Sequence, residues 1–305
     1  MNDKRAPDLA ASIAARLREL SRRTGEDHQV LLTRYGLERL MYRLSRSGAS
    51  DQFVVKGAMM FLVWHDQPFR VTRDLDLLAT RQPTPDQLLA LFRSLCRVSV
   101  EDDGVVFDEA SVTVAEIRED QQYGGLRVIM RGLLGNIQLP IQVDIGFGDA
   151  VTPEPKLETF PALLDFPPPV LHLYPKETVV AEKAEAIVQL GLINTRMKDY
   201  FDIWILMEGF EFDGELLKNA VAATFTRRKT DLPSGIPPGL SEAFADDRQK
   251  QWAAFLRRTH ASRPHDTDFK AVVARLRDFL LPLLLATGGP NPNVGKWPKG
   301  GPWRV

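Results

Sequence analysis

Apolar residues at the start of the chain recur at helical spacing. Leu9, Ile13, Leu17 and Leu20 share one face between Pro7 and about Gly25, and a second helical segment, "GEDHQVLLTRYGLERLMYRLSRSG", runs to Gly48. The period then changes. "FVVKGAMMFLVW" opens as a β-rich run over residues 53–55, Gly57 punctuates it, and a short helix follows. After the loop "HDQPFR" a strand is predicted over 71–78. "TPDQLLALFRSLCRV" reads as a helix with Thr84 as its cap and Pro85 at its first position. Four strand candidates come next, "VVFD", "SVTVAEIRE", "LRVIMRGLL" and "IQLPIQVDIGFG", with Gly124 and Gly125 marking a hairpin-like turn. The proline-rich "FPPPVLHLYPKE" predicts an extended connection into a helical half, where helices are expected at 178–192, 197–207, 215–225, 240–258 and 269–285. The last stretch, "TGGPNPNVGKWPKGGPWRV", is rich in Gly and Pro and is expected to be a flexible tail.

Composition narrows the function classes. A chain of 305 residues, 44% of them hydrophobic, can bury a sizeable core in one large domain or two. With a formal net charge of −1, the molecule as a whole has no attraction for nucleic acid or an anionic membrane, so any nucleic-acid contact must come from a local patch. Two basic clusters are candidates, "FTRRKT" (Arg227, Arg228, Lys229) and "FLRRTH" (Arg257, Arg258), although either taken alone reads as a solvated helix face. Trp204, Trp252 and Trp297 read as core residues sooner than as platforms for bases. The single cysteine, Cys96, leaves no internal disulfide and no cysteine-rich zinc site; it reads as a small buried hydrophobe in a cytoplasmic protein. Arg16, Arg18 and Glu19 interrupt what would have to be the apolar core of an export signal, and "FLLPLLLA" is too short to span a bilayer, so no membrane association is expected.

The chemistry concentrates in "VTRDLDLLAT". If Asp74 and Asp76 lie in a strand, they share one face while Leu75 and Leu77 share the other. Two adjacent carboxylates repel unless something positive neutralises them, and a hard divalent cation does this well. Pairing with Arg70 or Arg73 on a solvated edge is the plainer alternative. Gly57 in "VKGAMM" permits a close backbone approach to a ligand. Asp144 in "PIQVDIGFG" shares a face with Gln142 and would join the first two acids if its strand neighbours theirs; alternatively it caps a turn at Gly146. Lys183 stands on the apolar stripe of Val180, Ile187 and Leu190, so it must snorkel or meet an anion. Asp199 and Asp202 follow at i, i+3, with Lys198 four residues before Asp202; alone they read as an exposed ion-pair face.

Taken together, "RYGLERLMYRLSRSGASDQFVVKGAMMFLVW", "RVTRDLDLL", "QVDIGFGD" and "EKAEAIVQLGLINTRMKDYFDIW" resemble the nucleotidyltransferase toxins of the AbiEii/AbiGii type, in the DNA-polymerase-beta-like superfamily. The resemblance runs from about Leu31 to Met207. It implies an α+β fold, a nucleotidyltransferase-like mixed sheet flanked by helices and followed by a helical C-terminal part. Domains are expected at 1–170, N-terminal helices plus core, and at 171–287, helical, with 288–305 as the tail. It further implies Asp74, Asp76 and Asp144 as ligands of Mg2+ or Mn2+, and Lys183 as a catalytic phosphate-binding cation. Lys56, Gly57, Ala58, Arg70, Thr72, Arg73, Lys198, Asp199 and Asp202 would contribute to nucleotide binding. Ala58 departs from the serine common in the superfamily, so a hydroxyl contact to phosphate is missing there. The implied reaction moves a nucleotide from a nucleoside triphosphate to an acceptor hydroxyl, with release of pyrophosphate. The 3′ end of tRNA is the favoured acceptor and a protein hydroxyl the competing one, with a cognate antitoxin as partner. A metal-dependent nuclease, transfer to a small molecule, and an inactive binding module are the rival readings.

Overall fold

The computed structural model describes residues 9–64, 72–117, 124–259, 268–288 and 294–304. The chain divides into two compact units, Met1–Gly148 with Lys156–Leu173, and Asp149–Pro155 with Tyr174–Val305.

The first unit opens with α1 (Leu9–Thr24) and α2 (His28–Ser45). Asp27 fixes the start of α2 by accepting a hydrogen bond from the Val30 amide at 3.1 Å. Strand β1 (Phe53–Lys56) runs into a 3-10 turn at Gly57–Met59 and the short α3 (Met60–Trp64). β2 (Leu75–Ala79) and α4 (Pro85–Cys96) follow. Thr84 and Gln87 form a reciprocal capping box around the first turn of α4, as the sequence led us to expect for Thr84 and Pro85. Three long strands, β3 (Val105–Ile117), β4 (Gly125–Leu134) and β5 (Ile137–Phe147), precede the short β6 (Lys156–Thr159) and β7 (Val170–Leu173). All seven form one mixed sheet in the order β3-β4-β5-β2-β1-β7-β6, with β2–β5 and β1–β7 parallel.

Alternation along β5 separates the two faces of the sheet. Leu139, Ile141, Val143 and Ile145 are buried, each contributing about 1.5–3 kcal/mol, whereas Gln142, Asp144 and Gly146 turn the other way and remain partly open. α2 packs on the apolar face so closely that a Cβ at Gly36 would come within 2.8 Å of Ile141 Cδ1. The strand carrying Asp144 is therefore clamped from behind.

Local expectations change at β2, β3 and β7, while β5 forms as expected despite Pro140. β2 begins at Leu75, so Asp74 precedes the strand instead of lying within it; the Thr72 hydroxyl donates to the Asp74 carboxylate at 2.8 Å, a local bond that competes with ladder pairing. "VVFD" and "SVTVAEIRE" are one strand, broken only by a register shift between Asp108 and Thr113. Pro140 is tolerated inside β5 because β2 pairs with that strand only from Val143 onward, so its missing N–H faces no ladder partner on that side. "VLHL", read as part of a connection, is β7; four residues after three prolines carry too little periodicity to announce a strand. Cys96 is half-buried, and desolvation, aided by Glu109, pushes its thiol up to about 11, so it is chemically quiet.

The second unit contains α5 (Lys176–Leu190), α6 (Met197–Gly209), α7 (Gly214–Arg228), α8 (Glu242–Thr259) and α9 (Phe269–Gly288). A two-stranded ribbon joins β8 (Phe212–Asp213) to β9 (Lys296–Trp297). Aromatic packing holds this core: Trp252 and Phe269 stack with centroids 5.0 Å apart, and Phe279 meets Trp297 edge-on at 4.8 Å. Residues 294–304 fall in the segment expected as a tail. Here Trp297 is fully buried and donates its indole N–H to the Met207 carbonyl at 2.8 Å. Among the described residues no helix is long and apolar enough to cross a membrane.

Candidate active site

Strand registers bring the first three candidate acids together. Antiparallel pairing sets Lys56 of β1 opposite Asp76 of β2, parallel pairing sets Asp76 beside Asp144 of β5, and antiparallel pairing sets Asp144 opposite Arg127 of β4. One rung across four strands thus reads Arg127, Asp144, Asp76, Lys56, two cations bracketing two acids. Asp74 stands at the entrance to β2, and one carboxylate oxygen from each of Asp74, Asp76 and Asp144 lies within 4.8 Å of the others. At such separations each pair of ionised carboxylates repels by roughly 3 kcal/mol for an effective dielectric of about 20. Arg127 compensates part of this. Its Nε and Nη2 donate to the two oxygens of Asp144, both at 2.7 Å, while the Gln142 amide stands 3.4 Å from each oxygen.

Gly57 is required twice over. Its φ of +75° lies in the left-handed region, and a Cβ there would fall 1.8 Å from Asp76 Oδ2, inside the carboxylate itself. The backbone turn and the acid occupy one space that only glycine leaves open. A Cβ on Gly146 would sit 3.8 Å from Lys56 Nζ, so the ammonium reaches over the rung toward β5. Ala58 is buried, Thr72 holds Asp74, and Arg73 is exposed. Arg70 lies outside the described residues.

The remaining candidates belong to the second unit. Lys183 Nζ lies 2.9 Å from Asp199 Oδ1 and 2.9 Å from Asp202 Oδ2, and Arg196 Nε donates to Asp199 Oδ2 at 2.7 Å. Both acids are essentially fully buried, at 0% and 1% exposure, so they are not the exposed face that their spacing suggested. Lys198 is exposed and makes no ion pair among the described residues; the partner of Asp202 is Lys183. Arg228, from the first basic cluster, is held by Glu185 at 2.8 Å, Asp149 at 3.4 Å and Glu182 at 3.6 Å. Burial works against its charge, but the carboxylates of Glu182, Asp149 and Glu185 outweigh that and raise its affinity for the proton. It is an internal tie, not part of a surface patch.

Arg127 was not foreseen. The signal was available: a two-residue turn at Gly135 and Asn136 pairs Leu134 with Ile137, and counting outward from it pairs Arg127 with Asp144.

Asp74 at the entrance to β2 and Asp76 and Asp144 on the open face of the sheet offer hard oxygen donors without a thiolate or imidazole among them, a set whose chemistry suits a divalent cation. The chain belongs to the AbiEii nucleotidyl transferase toxin family of type IV toxin–antitoxin systems, whose pattern matches residues 39–275. That span extends past Met207, where the resemblance drawn from the sequence stopped. Membership implies a nucleotide substrate and an antitoxin partner. In structure the chain is similar to a candidate nucleotidyltransferase from H. pylori, at 14% identity over 85% of this chain and 96% of that one, with a TM-score of 0.44. It is likewise similar to JHP933 from Helicobacter pylori, at 14% identity over 85% of this chain and 93% of that one, with a TM-score of 0.45. No curated protein matches it in sequence.

Proposed function

We propose that this protein transfers a nucleotide from a nucleoside triphosphate to an acceptor hydroxyl, and that Asp74, Asp76 and Asp144 hold the Mg2+ or Mn2+ the reaction needs. The observation that carries this reading is the three-carboxylate cluster, built around a glycine turn that admits the Asp76 side chain. A divalent ion bound there supplies neutralisation of the charge that develops on the phosphate oxygens. The chain's own groups do the positioning. Arg127 fixes both oxygens of Asp144, and Thr72 orients Asp74, so neither carboxylate has to reorganise when a ligand arrives. Lys183 is the cation assigned to the β- or γ-phosphate, oriented by Asp199 and Asp202. In the transfer the acceptor oxygen bonds to the α-phosphorus, the bond from that phosphorus to pyrophosphate breaks, and the hydroxyl proton passes to solvent. The favoured acceptor is the 3′ end of tRNA, within a cytoplasmic toxin restrained by its antitoxin.

Incubation of the protein with α-labelled triphosphates, Mg2+ and total RNA tests this. Label joined to RNA, absent when EDTA is added and in Asp76→Ala, is the expected result. Shortened RNA without incorporation would replace transfer by hydrolysis, and growth inhibition that survives Asp74→Ala would remove catalysis as the cause of toxicity.

A further inference from the structure

The second unit carries a groove of about 560 Å³ whose lining includes Arg196, Lys198, Lys250, Phe255 and Arg258 and no carboxylate. Its two walls have different origins. One is the turn into α6, residues 195–198; the other is a single face of α8, where Lys250, Ala254 and Arg258 recur every four residues with Gln251 and Phe255 alongside. Lys198, Lys250 and Arg258 are exposed, and among the described residues none of the three makes an ion pair. What sets them apart is that they converge on one concavity, whereas a cation such as Lys270 sits beside Glu242 and Asp246. Three unneutralised cations around one concavity raise a local potential that selects a polyanion.

We infer that this groove binds the phosphodiester backbone of the RNA acceptor. The inference rests on the transfer reading above and adds where the acceptor is held. Lys250 and Arg258 are separated by two helical turns, about 12 Å along the axis, a distance over which one strand of a helical nucleic acid advances three to four phosphates at about 3.4 Å each. Phe255 favours RNA over an acidic peptide. Its ring is only half-buried and is backed by Trp252 at 5.7 Å and Phe201 at 5.6 Å, which makes a braced aromatic surface among cations, the combination that holds unpaired bases. Of the two basic clusters visible in the sequence, only the second contributes, through Arg258 but not Arg257.

The test measures binding of a short fluorescein-labelled single-stranded RNA and of a tRNA transcript, across a salt series, by full-length protein. The double variant Lys250→Ala/Arg258→Ala changes two exposed side chains and should melt like the wild type. It should bind both RNAs at least tenfold more weakly and flatten the slope of log affinity against log salt by about 1.5. Arg257→Ala, one residue away and outside the lining, should stay within twofold. Unchanged affinity in the double variant, or polyglutamate competing as well as RNA, would overturn the assignment. Asp76→Asn keeps the two proposals apart: it should bind RNA like the wild type yet join no label. If the wild type bound neither RNA while still incorporating label into protein, the groove assignment would fall and the transfer reading would stand.

Discussion

The rung on the sheet and the cluster on α5 and α6 use the same side chains to opposite ends. In the helical cluster two fully buried aspartates, Asp199 and Asp202, meet two cations, Lys183 and Arg196, so charge is matched in place. On the sheet three aspartates converge beside two cations, Arg127 and Lys56, and all three stay partly open to solvent. Among the described residues the first arrangement sets two acids against two cations, and the second sets three acids beside two. Acids gathered this closely are tolerable where solvent screens them or cations meet them, which is why the proposed ion is assigned to the sheet and not to the helical cluster.

Substitutions can break or sharpen that contrast. The largest effect is expected from Asp199→Ala, which removes the acid of Arg196 and leaves Lys183 with Asp202, and should cost about 3 kcal/mol in denaturant unfolding. If stability barely moved, the buried ion pairs of Asp199 would not hold α5 and α6 together. Asp76→Ala should do the reverse, lowering label transfer at least 100-fold, about 2.7 kcal/mol in barrier terms, with little change in melting temperature. A comparable loss of stability would place Asp76 in the scaffold. Gly57→Ala follows. Left-handed backbone strain of about 1–2 kcal/mol should appear in unfolding, together with weakened Mn2+ binding because the new methyl displaces Asp76 Oδ2. Intact Mn2+ binding in that variant would show that the turn can move without disturbing the acids. Arg127→Gln is the mildest: the fold should persist, while transfer falls roughly 10-fold as Asp144 loses its orientation. Activity within twofold of the wild type would mean that Arg127 only balances charge.

Much of this was legible before any coordinates. Thr84 with Pro85 announced α4, the alternation of "IQVDIG" placed Asp144 on the open face, and the spacing in "RDLDLL" put two acids close together. Three things stayed hidden for identifiable reasons. The start of β2 depends on a Thr72–Asp74 bond that no periodicity records. β7 is too short to display a period. The burial of Asp199 and Asp202 follows from which helices pack around α6, a tertiary fact, so their i, i+3 spacing read as a surface pattern.

The turn at Gly135 and Asn136 is exposed and looks like a convenient place to graft a tag or an epitope. It is a poor one. A single inserted residue that slid β4 by one step would invert every side chain along it, turning the guanidinium of Arg127 toward α2 and bringing an aliphatic neighbour up against Asp144. The length of that small loop is therefore a setting of the enzyme and not a spare part of its surface.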